Sequence, residues 1–123
     1  MDGEVELKRQ IIDIVTKFEK DQMWVTPDLI SVALEPGLLI ITLRGITSQA
    51  ERHYAQHDDG RTLLARLYER LFDSVKQLLE RAITEILGQE VERSSLNVHP
   101  DTGQGVMMFT LAGVMPCKGE EKS

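Results

Sequence analysis

The chain has 123 residues, 41% hydrophobic and 28% charged, with a formal net charge of −6 and a pI near 5.0. That size and mixture suit one globular core and exclude a fibrous, low-complexity or multi-core chain. The negative balance opposes phosphates. The densest basic group, Arg61, Arg66 and Arg70, alternates with Glu69 and Asp73 as a solvated helix face would, so no nucleic-acid binding is expected.

A single cysteine, Cys117, excludes an internal disulfide framework and fits a reducing compartment. Met1-Asp2-Gly3-Glu4-Val5-Glu6 lacks the basic and apolar regions of a signal peptide. Unbroken apolar runs such as Leu38 to Ile41 fall far short of the roughly 20 residues a membrane span requires. A cytoplasmic protein without a transmembrane segment is expected, meeting a membrane only through a partner.

In chain order, Ile11, Ile12, Ile14, Val15 and Phe18 recur at helical spacing opposite Lys8, Arg9, Asp13 and Lys17, predicting an amphipathic helix from Val5 that ends near Lys20 to Met23. Pro27 biases the preceding backbone away from helix, so Trp24 to Pro27 is predicted to lead extended into a strand. Two strands follow, Leu29 to Leu34 and Leu38 to Arg44, joined by Glu35-Pro36-Gly37. There Pro presets the first turn position and Gly tolerates positive φ at the second. The second strand is apolar on both faces at Leu38 to Ile41, which places it inside the sheet or covers it on both sides.

Ser48-Gln49-Ala50-Glu51 has the spacing of a capping box and should open a short helix. Asp58-Asp59-Gly60 is read as a break before the main helix, Arg61 to Leu87, which Gly88 stops. Val91 to Val98 and Val106 to Leu111 read as a closing hairpin around the Pro- and Gly-bearing loop at His99 to Gly105. The expected fold is α+β: a four-stranded, mostly antiparallel sheet in the order α-β-β-α-α-β-β, with helices on one face. Residues 1–113 form the single domain and 114–123 a flexible tail.

The long helix carries Leu64, Leu67, Leu71, Val75, Leu78, Ala82 and Ile86 in a stripe. About 27 residues span roughly 40 Å, whereas four strands make a sheet only about 19 Å wide. The excess must lie against the first helix or another molecule. Leu71, Val75, Leu78, Leu79, Ile83 and Ile86 are therefore the expected homodimer surface.

No catalytic, cofactor or metal constellation is expected. His53 and His57, four apart beside Asp58 and Asp59, could share a metal, but no third ligand follows at suitable spacing. His99 and Asp101 lack an adjacent nucleophile and suit a turn better than acid-base work. Gly103-Gln104-Gly105 opens no helix and cannot act as a phosphate loop. If a polar site exists, its candidates are Arg44, Glu51, Arg61, Asn97 and His99, bordering the hairpin ends.

Leu43-Arg44-Gly45-Ile46-Thr47-Ser48-Gln49-Ala50-Glu51, Gly60-Arg61, Gly88-Gln89-Glu90-Val91, Asn97-Val98-His99, Thr102-Gly103 and Val106-Met107-Met108-Phe109-Thr110-Leu111 together resemble a family of short bacterial proteins, the MpsC-like family. That family takes its name from a sodium-translocating membrane-potential-generating system. The resemblance covers roughly residues 5 to 112, with Asn97 standing where family members usually carry Asp. It implies a non-enzymatic accessory or regulatory protein linked to ion or inorganic-carbon transport, with a protein partner at the membrane. The alternative is a small-molecule-binding protein or small enzyme with a polar pocket between sheet and helix.

Overall fold

The computed structural model describes residues 2–112; the predicted tail at 114–123 lies outside them. Helix α1 spans Asp2–Phe18 and continues through a π-helical turn, Glu19–Met23. Strands β1 (Leu29–Glu35) and β2 (Leu38–Arg44) form the first hairpin; helices α2 (Gln49–Tyr54) and α3 (Asp58–Leu87) follow, then β3 (Val91–His99) and β4 (Gln104–Leu111). The fold is α+β, and the sheet is antiparallel throughout, in the order β1-β2-β4-β3.

Period-two alternation decides which side of the sheet is dry. Leu39, Ile41 and Leu43 of β2, with Met107, Phe109 and Leu111 of β4, are buried on the helix-covered face. From the helices come Ile11, Val15 and Phe18 of α1 and Tyr68, Phe72, Leu79 and Ile83 of α3. Phe18 meets Phe72 edge to face, ring centroids 6.1 Å apart at 79°, an arrangement aromatic quadrupoles favour. The second strand is central, as its sequence implies, but its other face is half-open at Leu38, Ile40 and Thr42.

Two local expectations need correction. Asp58, Asp59 and Gly60 form the first turn of α3 instead of breaking it. Both carboxylates complement the positive end of the helix dipole, and Gly60 packs on the Tyr54 backbone where a Cβ would collide. Trp24 is not extended: at φ 60°, ψ 38° it is left-handed, an uncommon conformation for a bulky residue. Its N–H returns to the Glu19 carbonyl and ends the π turn.

The packing gives a direct check. Replacing Phe72, which is fully buried, with Ala should cost about 3–5 kcal/mol in urea denaturation. Leu63→Ala on the exposed side of α3 should change stability by no more than about 0.5 kcal/mol at low protein concentration.

Candidate functional site

The loop after β2 and the β3–β4 loop clasp one another. The Ile46 N–H donates to the Gly103 carbonyl at 3.0 Å, and the buried Thr47 hydroxyl donates to the Pro100 carbonyl at 3.1 Å. Arg52 donates across the corner to the Thr47 carbonyl. Two glycines make the approach possible. A side chain at Gly45 (φ 73°) would run into the Asp28 carboxylate, and a Cβ at Gly103 (φ 79°) would stand 3.1 Å from Thr47 Oγ1.

Glu51 joins this corner to α3. The predicted capping box forms: Ser48 Oγ accepts from the Glu51 N–H at 3.1 Å and Glu51 Oε1 accepts from the Ser48 N–H at 2.8 Å. The same carboxylate lies 3.0 and 3.2 Å from the Tyr68 hydroxyl, whose other acceptor is the Ile46 carbonyl at 3.2 Å. Burial, then the Glu51 charge, pushes the Tyr68 phenol well above its ordinary range, so it remains a proton donor. Beside this pair opens a cleft of about 550 Å³ bounded by Trp24, Ile46, Thr47, Glu51, Leu67 and Leu71. Its mouth is apolar: Trp24 is 87% exposed, Leu67 50% and Leu71 41%.

Glu19 is the unexpected residue. It is 2% exposed, and its Oε2 has no hydrogen-bond partner. Burial raises its pKa from 4.5 to about 7. Its charge is felt by Tyr68 on α3. A signal was available in the sequence: Ile11, Val15 and Glu19 follow at four-residue steps, placing Glu19 on the buried stripe of α1. Nothing in the sequence marked the left-handed Trp24.

The remaining candidates separate. Arg44, Asn97 and His99 are exposed on strand positions that alternate with buried ones, which puts them on the open face of the sheet, away from Glu51. Arg61 ties the start of α3 to Asp58 and to the Ala55 carbonyl, at 3.2 Å from the latter. His99 contributes its carbonyl to the β3–β4 turn, accepting from Thr102 and Gly103. His53 and His57 do not share a helix, because α2 ends at Tyr54 and His57 caps α3. Among the described residues no three His, Cys, Asp or Glu side chains converge as a metal site would require.

The expected dimer surface is split. Leu79 (1% exposed) and Ile83 (0%) belong to the monomer's own core, and Val75 and Ile86 pack against it. Only Leu71 and Leu78 stay open, joined by Leu63 and Leu67. The physical reason is that α1 and the π turn cover one flank of the stripe, leaving the adjacent flank bare.

The family model for MpsC, described as a Na+-translocating membrane potential-generating system, matches residues 4–113. The chain belongs to the MpsC family. No curated protein and no solved structure gives a significant match. Within this MpsC chain some of the segments that carry the resemblance meet in the clasp, Leu43 to Glu51 on one side and Thr102-Gly103 on the other, whereas Gly60-Arg61, Gly88 to Val91 and Val106 to Leu111 lie in α3, its C-terminal end and β4. No helix among the described residues is long and apolar enough to cross a membrane.

Two measurements probe this corner. Tyr68→Phe leaves the ring packed but strips the Glu51 carboxylate and Ile46 carbonyl of a donor, and should cost about 1–2 kcal/mol in chemical denaturation. Glu19 has a folded pKa of about 7 against an ordinary 4.5, so between those values the folded state holds a proton that the unfolded chain releases. Its contribution to stability therefore falls as pH rises through that window, by at most about 1.4 kcal/mol per unit, and is flat above it. Glu19→Gln should remove that decline in denaturation midpoints measured from pH 4 to 8.

Proposed function

We propose that this protein is a non-enzymatic accessory or regulatory module of the cytoplasm. It acts as a homodimer, by protein–protein contact, on a membrane ion- or inorganic-carbon-transport system. One observation carries the reading: the polar groups of the corner are consumed in holding the fold together, whereas the surfaces left unsatisfied are apolar. Ser48, Glu51, Tyr68, Thr47 and Arg52 all bond internally. By contrast Leu63, Leu67, Leu71, Leu78 and Trp24 stand in solvent on the helical side, and Met108 does so on the open sheet face. Exposed apolar area in contiguous patches marks association surfaces.

The family description supports the link to ion translocation. With no helix of the described residues able to cross a membrane, the proposal gives the span to a partner. The open sheet face suits that partner: the cross-strand row Ala33, Ile40, Met108 and Ser95 offers an apolar centre with a small polar rim. A second reading, small-molecule binding, draws on the size of the cleft at Trp24, which lies within the range of ligand sites. It is the weaker one, because Glu51 and Tyr68 already hold each other there.

The test is affinity purification of the tagged protein from detergent-solubilised membranes of its native host. An integral membrane transport protein should co-purify, and a variant carrying Ile40→Glu and Met108→Glu should lose it while melting normally. Failure to enrich any membrane protein over an untagged control would reject the proposal, and saturable binding of a metabolite lost with Trp24→Ala would favour the second reading.

A further inference from the structure

The exposed flank of α3 is written twice over, once in leucines and once in charges. Leu63, Leu67, Leu71 and Leu78 are 59%, 50%, 41% and 47% exposed. Their spacing along a helix keeps them within one stripe, running about 22 Å at 1.5 Å per residue. Beside the stripe, on its solvent side, lie Asp59, Arg66, Asp73 and Arg81, all exposed. Among the described residues Asp59, Arg66 and Arg81 make no ion pair, while Asp73 has only a 3.6 Å contact with Lys76.

We propose that two copies of this chain pair through α3, antiparallel, about a two-fold axis passing between Arg70 and Leu71. This rests on the homodimer reading above and gives it a surface and a register. Turning a second α3 end for end about that point sets Leu63 against Leu78 and Leu67 against Ser74. The same operation brings Asp59 within one residue of the level of Arg81 and Arg66 within two of Asp73, axial offsets of about 3 Å or less that an arginine side chain spans. Each contact then occurs twice, as an isologous interface requires. Antiparallel helices present like flanks to one another, so charges on one side of the stripe meet charges on that same side.

The alternatives fit less well. Parallel pairing in register turns the flank bearing Asp59, Arg66 and Asp73 toward the partner's opposite flank, which lacks that complement, and aligns the helix dipoles. An anionic lipid surface would be met by Asp59, Asp73 and the exposed Glu85 as well as by the arginines, on a chain of net charge −6. A second copy answers both signs at once. One contact opposes the arrangement: Arg70 comes near its own symmetry mate, with Asp73 of the other copy within the next turn. Trp24, standing beside Leu67 and Leu71 at the mouth of the cleft, extends the apolar seam onto the partner. The seam is at the small end of stable interfaces, so a dissociation constant in the micromolar range is expected.

Sedimentation velocity of the full chain from about 1 to 100 µM is the primary test, with a monomer–dimer transition expected inside that range. Leu71→Glu should weaken dimerisation at least about a hundredfold. Asp59→Arg and Arg81→Asp should each weaken it about tenfold, and the double exchange should restore it to within about threefold. All three residues are exposed, so unchanged circular-dichroism melts below the dissociation constant verify folding. In a Cys117→Ser background, Leu71→Cys should self-crosslink under mild oxidation, whereas Ile40→Cys on the open sheet face should not. A monomer at 100 µM, a dimer indifferent to Leu71→Glu, absence of rescue by the charge exchange, or crosslinking at Ile40 alone would each overturn the proposal. So would leucine-dependent binding to anionic vesicles by a chain that stays monomeric. Because the membrane-partner test uses the opposite face, loss of the dimer with co-purification intact would remove this interface and leave the accessory role standing.

Discussion

The pairing of β2 with β4 is the constraint on which the rest depends. Leu38 to Leu43 lie against Gly105 to Thr110 in antiparallel register, joining a hairpin near the start of the chain to one at its end. Each hairpin is local; their union is not, and its loop-closure entropy must be met by long-range contacts. The clasp extends the same ladder past the strand ends, with Ile46 N–H on the Gly103 carbonyl and Thr47 on the Pro100 carbonyl. Once that seam closes, Leu39, Ile41, Met107 and Phe109 form a continuous dry strip for α1 and α3 to cover.

Side chains of α3 then fasten the outer strand. Ser94 Oγ donates to Glu80 at 2.5 Å, Lys76 donates to the Ser94 carbonyl at 3.2 Å, and the Val98 N–H reaches Glu69 at 3.3 Å. These bonds occupy polar groups along an edge strand that would otherwise invite another sheet. The inner faces of α1 and α3 are thus committed to the fold, and Glu19, buried at the π turn, keeps an Oε2 without a hydrogen-bond partner; among the described residues Gln89 Oε1, just beyond α3, shares that deficit. A carboxyl in that position costs stability when ionised, and it sits at a helical irregularity of a kind often found at functional sites.

What the molecule offers outward is two apolar surfaces on opposite sides: the leucine stripe of α3 with Trp24, and the Ile40–Met108 row of the open sheet. In the proposed dimer the first would meet a second copy through its charge pattern, and the second would be left free. Under the proposed function, this division would let the protein self-associate and still present an identical face, twice, to a membrane partner. Two linked contacts raise effective affinity without any new chemistry.

By itself the sequence determined the order of the elements and several of their boundaries, though not the start of α3 or the left-handed turn at Trp24. The Pro36-Gly37 turn, the Ser48–Glu51 box and the stop at Gly88 are set by backbone preferences acting within a few residues, and the apolar run Leu38 to Ile41 marks β2 as an inner strand. The family was legible too, because its segments are short local stretches at turns, helix ends and β4 that can be read in the chain without the tertiary fold. Tertiary structure alone decided the sheet order, the inward turn of Leu79 and Ile83, and the separation of Arg44, Asn97 and His99 from Glu51. A stripe shows that one side of a helix is apolar, but not which neighbour covers which flank. That depends on where α1 and the π turn come to rest, and on long-range packing that local spacing does not encode.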